Sequence, residues 1–206
     1  AWSGNGKLEV LSQLMRLRQI CCDPALCFED YTGESAKLET CVSLIASASA
    51  AGHKILLFSQ FASMLERIRE RLLQEGISSH LLVGATPKEE RSRMVQAFAS
   101  DEVPVFLISL KAGGTGLNLT AADIVIHYDP WWNVAAQNQA TDRAYRIGQE
   151  KPVTVYKLIL KDTIEENLLK LQNAKLALAA QVVSEGMVSL GDLSQNELME
   201  LFEQNP

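Results

Sequence analysis

Two arginines in the segment 139–149 (QATDRAYRIGQ) are spaced so that they could bind a polyanion. On a helix, Gln139, Arg143 and Arg146 fall at positions i, i+4 and i+7, which places their side chains on one face. The guanidinium group suits phosphate because it carries a fixed charge and a planar fork of donors. The alternative is a solvated helix face with a salt bridge to Asp142. That alternative leaves the glutamine on the same face and the glycine-rich loop upstream unexplained.

This glycine-rich loop, 109–119 (SLKAGGTGLNL), follows an apolar run of strand length. Gly113, Gly114 and Gly116 allow a tight turn whose backbone amides can face an anion. The loop has no Gly-Lys-Ser or Gly-Lys-Thr of a triphosphate-binding loop. It is not a dinucleotide fingerprint either, because Leu119 stands where the third glycine is needed. An ordinary strand-to-helix turn fits the spacing equally well; if phosphate is the ligand, a nucleic-acid backbone is preferred.

Two adjacent tryptophans, Trp131 and Trp132, follow another apolar run in the string YDPWWN (128–133). Both rings could fill the core, which is the ordinary use of tryptophan. Neighbouring residues that leave a strand point in opposite directions, however. We therefore predict that one ring packs inwards and that the other is available to a ligand.

Short apolar runs alternate with helical segments along the chain. The predicted strands are 54–58, 79–83, 103–109, 124–128 and 153–160. Between the first two, Phe61, Leu65, Ile68 and Leu72 recur at helical spacing. Strands that alternate with helices predict βαβ units, and hence an α/β fold whose parallel sheet is covered by helices on both faces.

Helix starts can be predicted from capping residues. Thr86 is predicted to cap a helix that has Pro87 in its first position. The string DTIE (162–165) offers a second capping box, which opens a long helix through about Val183. Before the first strand, helices are predicted over 8–20 and 36–51.

The overall charge argues against a surface that attracts DNA uniformly. The formal net charge is −6, from 19 basic and 25 acidic residues. Five of the acidic residues and no lysine or arginine lie in 185–206, so the remaining body is nearly neutral. Any DNA contact must then come from a local basic face and from backbone amides.

Metal and membrane sites are not predicted. The four cysteines fit no common zinc pattern and are expected to be reduced thiols; they are Cys21, Cys22, Cys27 and Cys41. No apolar run approaches the roughly 20 residues that span a bilayer, so no membrane partner is expected.

Taken together, the ordered motifs resemble the C-terminal helicase lobe of the Swi/Snf-type branch of superfamily two, over nearly the whole chain. The string LRQICCDP (17–24) resembles the family's helix before the lobe, with Asp23 where histidine is frequent. The string ILLFSQF (55–61) resembles motif IV, and 84–98 resembles the motif after it.

The resemblance continues through the segments with candidate chemistry. Residues 109–119 resemble motif V, and 139–149 resemble motif VI, which is the most specific string. Residues 129–133 resemble the family's own insertion before motif VI, although Val134 stands where proline is usual.

This resemblance implies a RecA-like fold in four parts. Residues 1–35 would be a helical lead-in from a first lobe, and 36–160 the RecA-like C-terminal lobe. Residues 161–184 would be a brace helix that packs back on the motor, and 185–206 an acidic tail.

The resemblance also implies roles in ATP hydrolysis. Arg143 and Arg146 would act as arginine fingers, and Gln139, Gly116 and Asn118 would line the same cleft. ATP and Mg²⁺ would be held mainly by a first lobe, because the sequence has neither a Walker A lysine motif nor an Asp-Glu-x-His box. The isolated chain is therefore expected to be inactive.

Duplex DNA is the second implied ligand, held by the phosphates of one strand. The implied contacts are Ser109, Lys111, Gly113, Gly114, Thr115 and Trp132, with Gln60, Lys88 and Arg91 as weaker candidates. The other implied partners are the N-terminal lobe of the same polypeptide and a DNA-bound protein target. The location would be the cytoplasm, with the nucleoid, in a bacterium and the nucleus in a eukaryote.

Two other functions fit parts of the pattern. A strand-separating RNA or DNA helicase lobe shares motif VI, but the strings RIGQ (146–149) and WWN (131–133) favour a duplex translocase. A non-catalytic nucleic-acid-binding module could use the fold alone, but the presence of both arginines disfavours it.

Overall fold

The computed structural model describes residues 4–112, 117–131, 134–145, 149 and 151–179. Five strands and six α-helices lie in this part of the chain. In chain order they are α1 (Gly4–Cys22), a 3₁₀ helix (Pro24–Leu26), α2 (Ala36–Ala50), β1 (Ile55–Ser59), α3 (Ala62–Gln74), β2 (Ser79–Leu82), α4 (Lys88–Ser100), β3 (Val105–Ser109), β4 (Ile124–His127), α5 (Val134–Thr141), β5 (Thr154–Lys157) and α6 (Ile164–Ala179).

The five strands form one parallel sheet in the order β2-β3-β1-β4-β5. In the central strand, Ile55 pairs with Val105 on one side and with Ile124 on the other. Every residue of β1, β3 and β4 is buried, which explains why these strands are unbroken apolar runs in the sequence. The sheet confirms the predicted α/β fold.

Alternate side chains of the strands support two separate hydrophobic layers. Ile55 and Leu57 face a layer formed with α2 and α3, which includes Ile45 and Ile68. On the opposite face, Phe58 and its alternate neighbours pack against residues of α4 and α5. Helices therefore cover both faces of the sheet, as the alternation of elements predicted.

The first and last helices pack against each other beside the sheet. Leu14 of α1 and Leu168 of α6 form a small buried cluster, and Trp131 packs against it. Helix α1 also contacts the sheet layer, because the Tyr128 hydroxyl donates to the carbonyl of Cys22 over 2.9 Å. The division of the chain into four parts stays a prediction.

Both predicted helix caps are wrong by a residue or more. Helix α4 begins at Lys88, with Pro87 in the cap position. Thr86 instead closes the turn after β2, where its hydroxyl accepts from Val83 N over 3.1 Å. At α6 the Thr163 hydroxyl accepts from Glu165 N over 3.2 Å, while Asp162 adopts a positive φ of 57°. Thr86 is used in a local turn, and the carboxylate of Glu165 accepts from the distant Lys37 instead of forming the predicted capping box.

Two other sequence-based expectations concern apolar segments and thiols. In the described ranges, no helix is long and apolar enough to cross a bilayer. All four cysteines are free thiols. Cys22 and Cys41 are fully buried, and burial raises the pKa of Cys41 to about 12, so it stays protonated.

Candidate functional site

The carboxyl ends of the parallel strands bring the motif segments to one edge of the sheet. Strands β1, β3 and β4 end at Ser59, Ser109 and His127. The loops that follow them carry Gln60, the glycine-rich loop and the tryptophan pair. In open parallel sheets, ligands bind at this carboxyl edge. We refer to it below as the carboxyl edge.

The end of the glycine-rich loop is tied to the arginine segment. Leu119 N donates to the carbonyl of Arg143 over 3.1 Å. The Gln149 side-chain amide nitrogen lies 3.0 Å from Thr120 O and 2.7 Å from Ala122 O. The same nitrogen lies 3.3 Å from Ala144 O. The two segments therefore form one unit.

The arginine segment is not a continuous helix, which corrects the predicted common face. Helix α5 ends at Thr141, and Arg143 lies in the turn beyond it. The turn closes through i to i+3 bonds, with Ala144 N donating to Thr141 O over 3.0 Å. Gln139 is exposed, whereas Arg143 is only 3% exposed. Arg146 lies outside the described residues.

A buried histidine fastens the end of α5 to the sheet. His127 Nε2 lies 2.9 Å from the Thr141 hydroxyl, which itself donates to Gln137 O over 3.3 Å. The imidazole stacks on Phe58, with ring centroids 5.7 Å apart. Burial, assisted by the nearby charge of Lys157, lowers the pKa of His127 to about 4. The ring is therefore neutral at pH 7, and its Nε2–H donates to the threonine oxygen.

Two lysines predicted to contact DNA are exposed at the carboxyl edge. Lys111 follows β3, and Lys88 begins α4. Asn118, predicted to line the ATP cleft, is also exposed near the end of the glycine-rich loop. These three side chains are accessible to a ligand.

Three other predicted DNA contacts occupy supporting positions. Arg91 donates to three backbone carbonyls: Thr86 O at 2.8 Å, Ala112 O at 3.2 Å and Gly84 O at 2.9 Å. It thereby joins the loop after β2 to the start of the glycine-rich loop. Ser109 is buried and accepts from Ala112 N over 3.3 Å.

The third predicted DNA contact in a supporting position is Gln60, whose side chain points towards α1. It is half-buried, and its amide nitrogen lies 3.6 Å from the sulfur of Met15. The remaining predicted contacts lie outside the described residues; they are Gly113, Gly114, Thr115, Gly116 and Trp132. Trp131 is half-buried and packs against two hydrophobic clusters, as expected for one member of the tryptophan pair.

A buried carboxylate organises the carboxyl edge next to α1. Asp129 accepts from the Ser59 hydroxyl over 2.5 Å and from Gln60 N over 3.1 Å. Arg18 Nη2 lies 3.5 Å from the same carboxylate and donates to Pro130 O over 2.7 Å. Arg18 and Asp129 are both 1% exposed. We call these five residues the Asp129 cluster.

A second buried ion pair joins α2 to α6. Lys37 Nζ lies 2.6 and 2.7 Å from the two carboxylate oxygens of Glu165, and 5.1 Å from the centroid of the Tyr128 ring. Glu165 also accepts from Leu160 N over 2.9 Å. Burial raises the pKa of Glu165, and the attraction of Lys37 opposes that rise.

Comparison with known proteins agrees with this arrangement of sheet, loops and motifs. The helicase conserved C-terminal domain family matches residues 36–148, which is more than half of the chain. The chain belongs to this family.

Its relatives include bacterial proteins that are named as ATP-dependent helicases. It is 44% identical over 205 residues to YwqA of Bacillus subtilis (strain 168), whose name describes an ATP-dependent helicase/translocase. That match covers 95% of this chain and 22% of YwqA. The chain thus spans about a fifth of the length of the curated relatives it matches.

Solved structures match the helicase domain along its whole length. The Sulfolobus solfataricus SWI2/SNF2 ATPase C-terminal domain has a TM-score of 0.78 and 32% identity, over 100% of this chain and 86% of that one. The Sulfolobus SWI2/SNF2 ATPase core in complex with dsDNA has a TM-score of 0.79 and 34% identity, over 100% of this chain and 44% of that one. The chain is a second lobe of the SWI2/SNF2 type with a RecA-like fold.

Several residues that organise this helicase domain were missed by the sequence analysis. They are Arg18, Asp129, His127, Gln137 and Gln149. Gln149 and Asp129 lie in strings that resemble the family's motifs, so the resemblance marked their positions without indicating what they contact. Arg18 also lies in such a string, 17–24, but its partner Pro130 lies more than a hundred residues away, so the local sequence does not indicate this contact.

Proposed function

We propose that this chain is the second motor lobe of an ATP-dependent translocase that acts on double-stranded DNA. The observation that carries the proposal is the junction of the glycine-rich loop with the arginine segment, through Leu119 N and Arg143 O. Because the two segments are in direct contact, movement at a nucleotide can reach the DNA-contacting loop. The similarity to a SWI2/SNF2 ATPase core in complex with dsDNA supports duplex DNA as the track.

The role proposed for this lobe in ATP hydrolysis is to place positive charge beside the phosphates of ATP. ATP and Mg²⁺ are held mainly by the N-terminal lobe of the same polypeptide, and Arg143 and Arg146 contact the β- and γ-phosphates when the lobes close. Guanidinium groups there stabilise the charge that develops on the transferred phosphoryl group. Because Arg143 is 3% exposed, this contact requires a rearrangement of the turn after α5. Gln139 and Asn118 are exposed donors that fit the edge of the same cleft, together with Gly116.

The proposed DNA contact lies on the glycine-rich loop and beside it. Lys111 and Lys88 have the exposed charges, and Gly113, Gly114 and Thr115 supply backbone amides and a hydroxyl. Arg91, Ser109 and Gln60 support the loops from behind, and Trp132 is a candidate for contact with the duplex. Contacts of this kind bind phosphates and carry no direct sequence information. Cycles of lobe closure would then move the protein along DNA without separating the strands.

The test of the proposed function is steady-state kinetics of the intact protein with Arg143→Ala, Arg146→Ala and the double variant. Arginine fingers contribute on the order of 10³–10⁵ in turnover. Each single variant should therefore lose nearly all DNA-stimulated ATP hydrolysis, while the affinities for ATP and DNA fall much less. The double variant should lose little more than either single variant, because both groups act on one transition state. Lysine should rescue poorly, since it has no planar fork of donors.

The control for this test is Arg69→Ala, which removes an exposed arginine on α3, away from both motif segments. An exposed arginine in an ordinary ion pair contributes at most about 1 kcal/mol of stability and nothing to turnover. If both motif variants behave like this control, the proposed arginine fingers are wrong and only membership of the family stands.

A further inference from the structure

Helix α1 contacts the loop that leads into α5 through the buried guanidinium of Arg18, in addition to the contacts of Tyr128 and Trp131. Arg18 Nη2 donates to Pro130 O over 2.7 Å and lies 3.5 Å from the Asp129 carboxylate. The guanidinium carbon also lies 5.7 Å from the centroid of the Phe61 ring. Burying two charges is costly unless the geometry is well satisfied, so removal of either partner leaves an uncompensated charge. One side chain thus fixes the loop at a carboxylate and at a carbonyl.

The loop passes this constraint on to α5. Trp131 N donates to the Gln137 side-chain oxygen over 3.3 Å, and Gln137 is itself only 3% exposed. Trp131 also packs against two clusters, one formed by Leu14 and Leu168 and one on the face of the sheet that α5 covers. The start of α5 is therefore set from the side of α1, and the turn with Arg143 follows directly after α5 ends at Thr141.

We propose that Arg18 is a positioning residue for ATP hydrolysis, which acts through Asp129 and Pro130 on α5 and on Arg143 beyond it. This inference rests on the proposed function, because it assigns Arg18 to the alignment of a residue that meets ATP. A misplacement of about 1 Å in a reacting group can lower turnover about a hundredfold. Lysine cannot replace Arg18 fully, since its single nitrogen does not reproduce a planar fork placed between a carboxylate and a carbonyl.

The simpler view is that the pair only fastens α1 to the lobe. In that case its loss would reduce the fraction of folded protein, but each folded molecule would hydrolyse ATP normally. The positioning role instead lowers kcat in folded molecules and leaves binding nearly unchanged. The two views therefore differ in kcat per folded molecule, whereas KM for ATP and the affinity for DNA should change little under either view.

The experiment compares Arg18→Met and Arg18→Lys in the intact protein with both lobes. We expect kcat of DNA-stimulated hydrolysis per folded molecule to fall about tenfold to a hundredfold in Arg18→Met. KM for ATP and Kd for a fixed DNA duplex should change less than about threefold, and Arg18→Lys should restore only part of kcat. If Arg18→Met does not fold, Arg18→Lys still keeps the charge. It should show the same pattern with smaller changes, namely a lower kcat and a nearly unchanged KM.

Lys37→Met is the matched control. Lys37 belongs to a similarly buried ion pair with Glu165, and in the described part of the chain it donates no hydrogen bond to the Asp129 cluster. The Lys37→Met variant should lose stability as Arg18→Met does, but its kcat should equal that of wild type. A second measurement combines Arg18→Met with Asp129→Asn. If both residues act through one loop, the fold-decrease in kcat of the double variant should be much smaller than the product of the two single fold-decreases.

Equal kcat per folded molecule in wild type, Arg18→Met and Arg18→Lys would overturn the positioning role. A decrease of kcat in Lys37→Met as large as that in Arg18→Met would also overturn it, because the decrease would then follow from lost stability in general. Arg143→Ala separates this failure from failure of the proposed function. If Arg143→Ala abolishes hydrolysis while the Arg18 variants hydrolyse normally, only the positioning inference is lost. If Arg143→Ala hydrolyses normally, the proposed role of Arg143 as an arginine finger is lost as well.

Discussion

At the scale of single residues, the same positive charge serves two different purposes on the carboxyl edge. Arg91 directs its donors to three backbone carbonyls and so holds two loops together. Lys111, close to one of those carbonyls in sequence, is exposed and can meet a phosphate. The planar fork of arginine suits several fixed acceptors, whereas the point charge of lysine suits a mobile anion.

The contact proposed for Lys111 can be tested through its salt dependence. In the intact protein, Lys111→Ala should weaken binding to unrelated duplex sequences by the same factor. The slope of log affinity against log salt should become less steep by about one unit, because one fewer counterion is released. The measurement is a fluorescence anisotropy titration at several salt concentrations.

Lys151→Ala provides the matched control for this experiment. Lys151 is also exposed, but it lies near Asp123, before β4 and β5 and so at the opposite end of the strands. Its removal should leave the salt slope unchanged. A loss of affinity in Lys111→Ala that depends on base sequence would exclude a phosphate contact.

At the scale of elements, α5 is a short helix held at both ends by groups from other elements. The loop at its start is fixed by the Asp129 cluster, and its last residue, Thr141, is bonded to His127 at the end of β4. A helix of eight residues has little stability of its own, so tertiary contacts decide its position. The turn that holds Arg143 is thereby placed by the sheet.

The buried imidazole should make stability depend on pH. The pKa of His127 is lowered from 6.5 to about 4, so the unfolded chain binds a proton in this range that the folded chain does not. Stability should therefore fall as pH falls from about 6.5 to about 4, by about 3 kcal/mol from this group, with no further loss below that range. Denaturant unfolding of the purified chain between pH 7 and pH 4 measures this loss.

Two variants separate the cause of this pH dependence. His127→Gln should unfold with a shallower dependence on pH than wild type. Thr141→Val should keep the steep dependence, because burial and not the hydrogen bond is the main cause of the lowered pKa. If the stability of His127→Gln depended on pH as steeply as that of wild type, groups other than His127 would cause the acid sensitivity.

At the scale of the whole molecule, the lobe carries its motif segments at the carboxyl edge of the sheet, and residues 1–184 have nearly balanced charge. Two separate buried ion pairs attach α1 and α6 to this body, one through Asp129 and one between Lys37 and Glu165. The parts outside the sheet are therefore joined to it near the same edge. On the proposed function, this edge faces the other lobe and the DNA.

The isolated chain should fold and remain inactive as an ATPase. Its expected fold rests on one continuous sheet with a hydrophobic layer on each face. Its expected inactivity rests on the sequence, which has no triphosphate-binding Gly-Lys-Ser or Gly-Lys-Thr motif. Phosphate release by the purified chain with saturating duplex DNA should equal background, and the intact protein serves as the positive control. Turnover clearly above background would contradict the division of labour between two lobes.

The sequence by itself determined the order of strands and helices, the parallel sheet and the segments that carry the chemistry. These depend on patterns within a few residues: apolar runs such as 55–58, helical spacing from Phe61 to Leu72, and glycines spaced for a turn. The family followed from the same local strings. The positions of Lys111, Lys88 and Asn118 could also be inferred, because any loop that follows a parallel strand reaches the same edge of the sheet.

Only the tertiary structure decided which polar groups are used for support. Arg18 meets Asp129 and Pro130 across more than a hundred residues, and nothing in its local sequence predicts that distant contact. Arg143 leaves the expected helical face because Leu119, from another loop, bonds to its carbonyl just after α5 ends. Helical periodicity assumes that a helix continues, but a helix ends where distant donors and acceptors offer its backbone other partners. The burial of His127 and the role of Arg91 depend on such neighbours too.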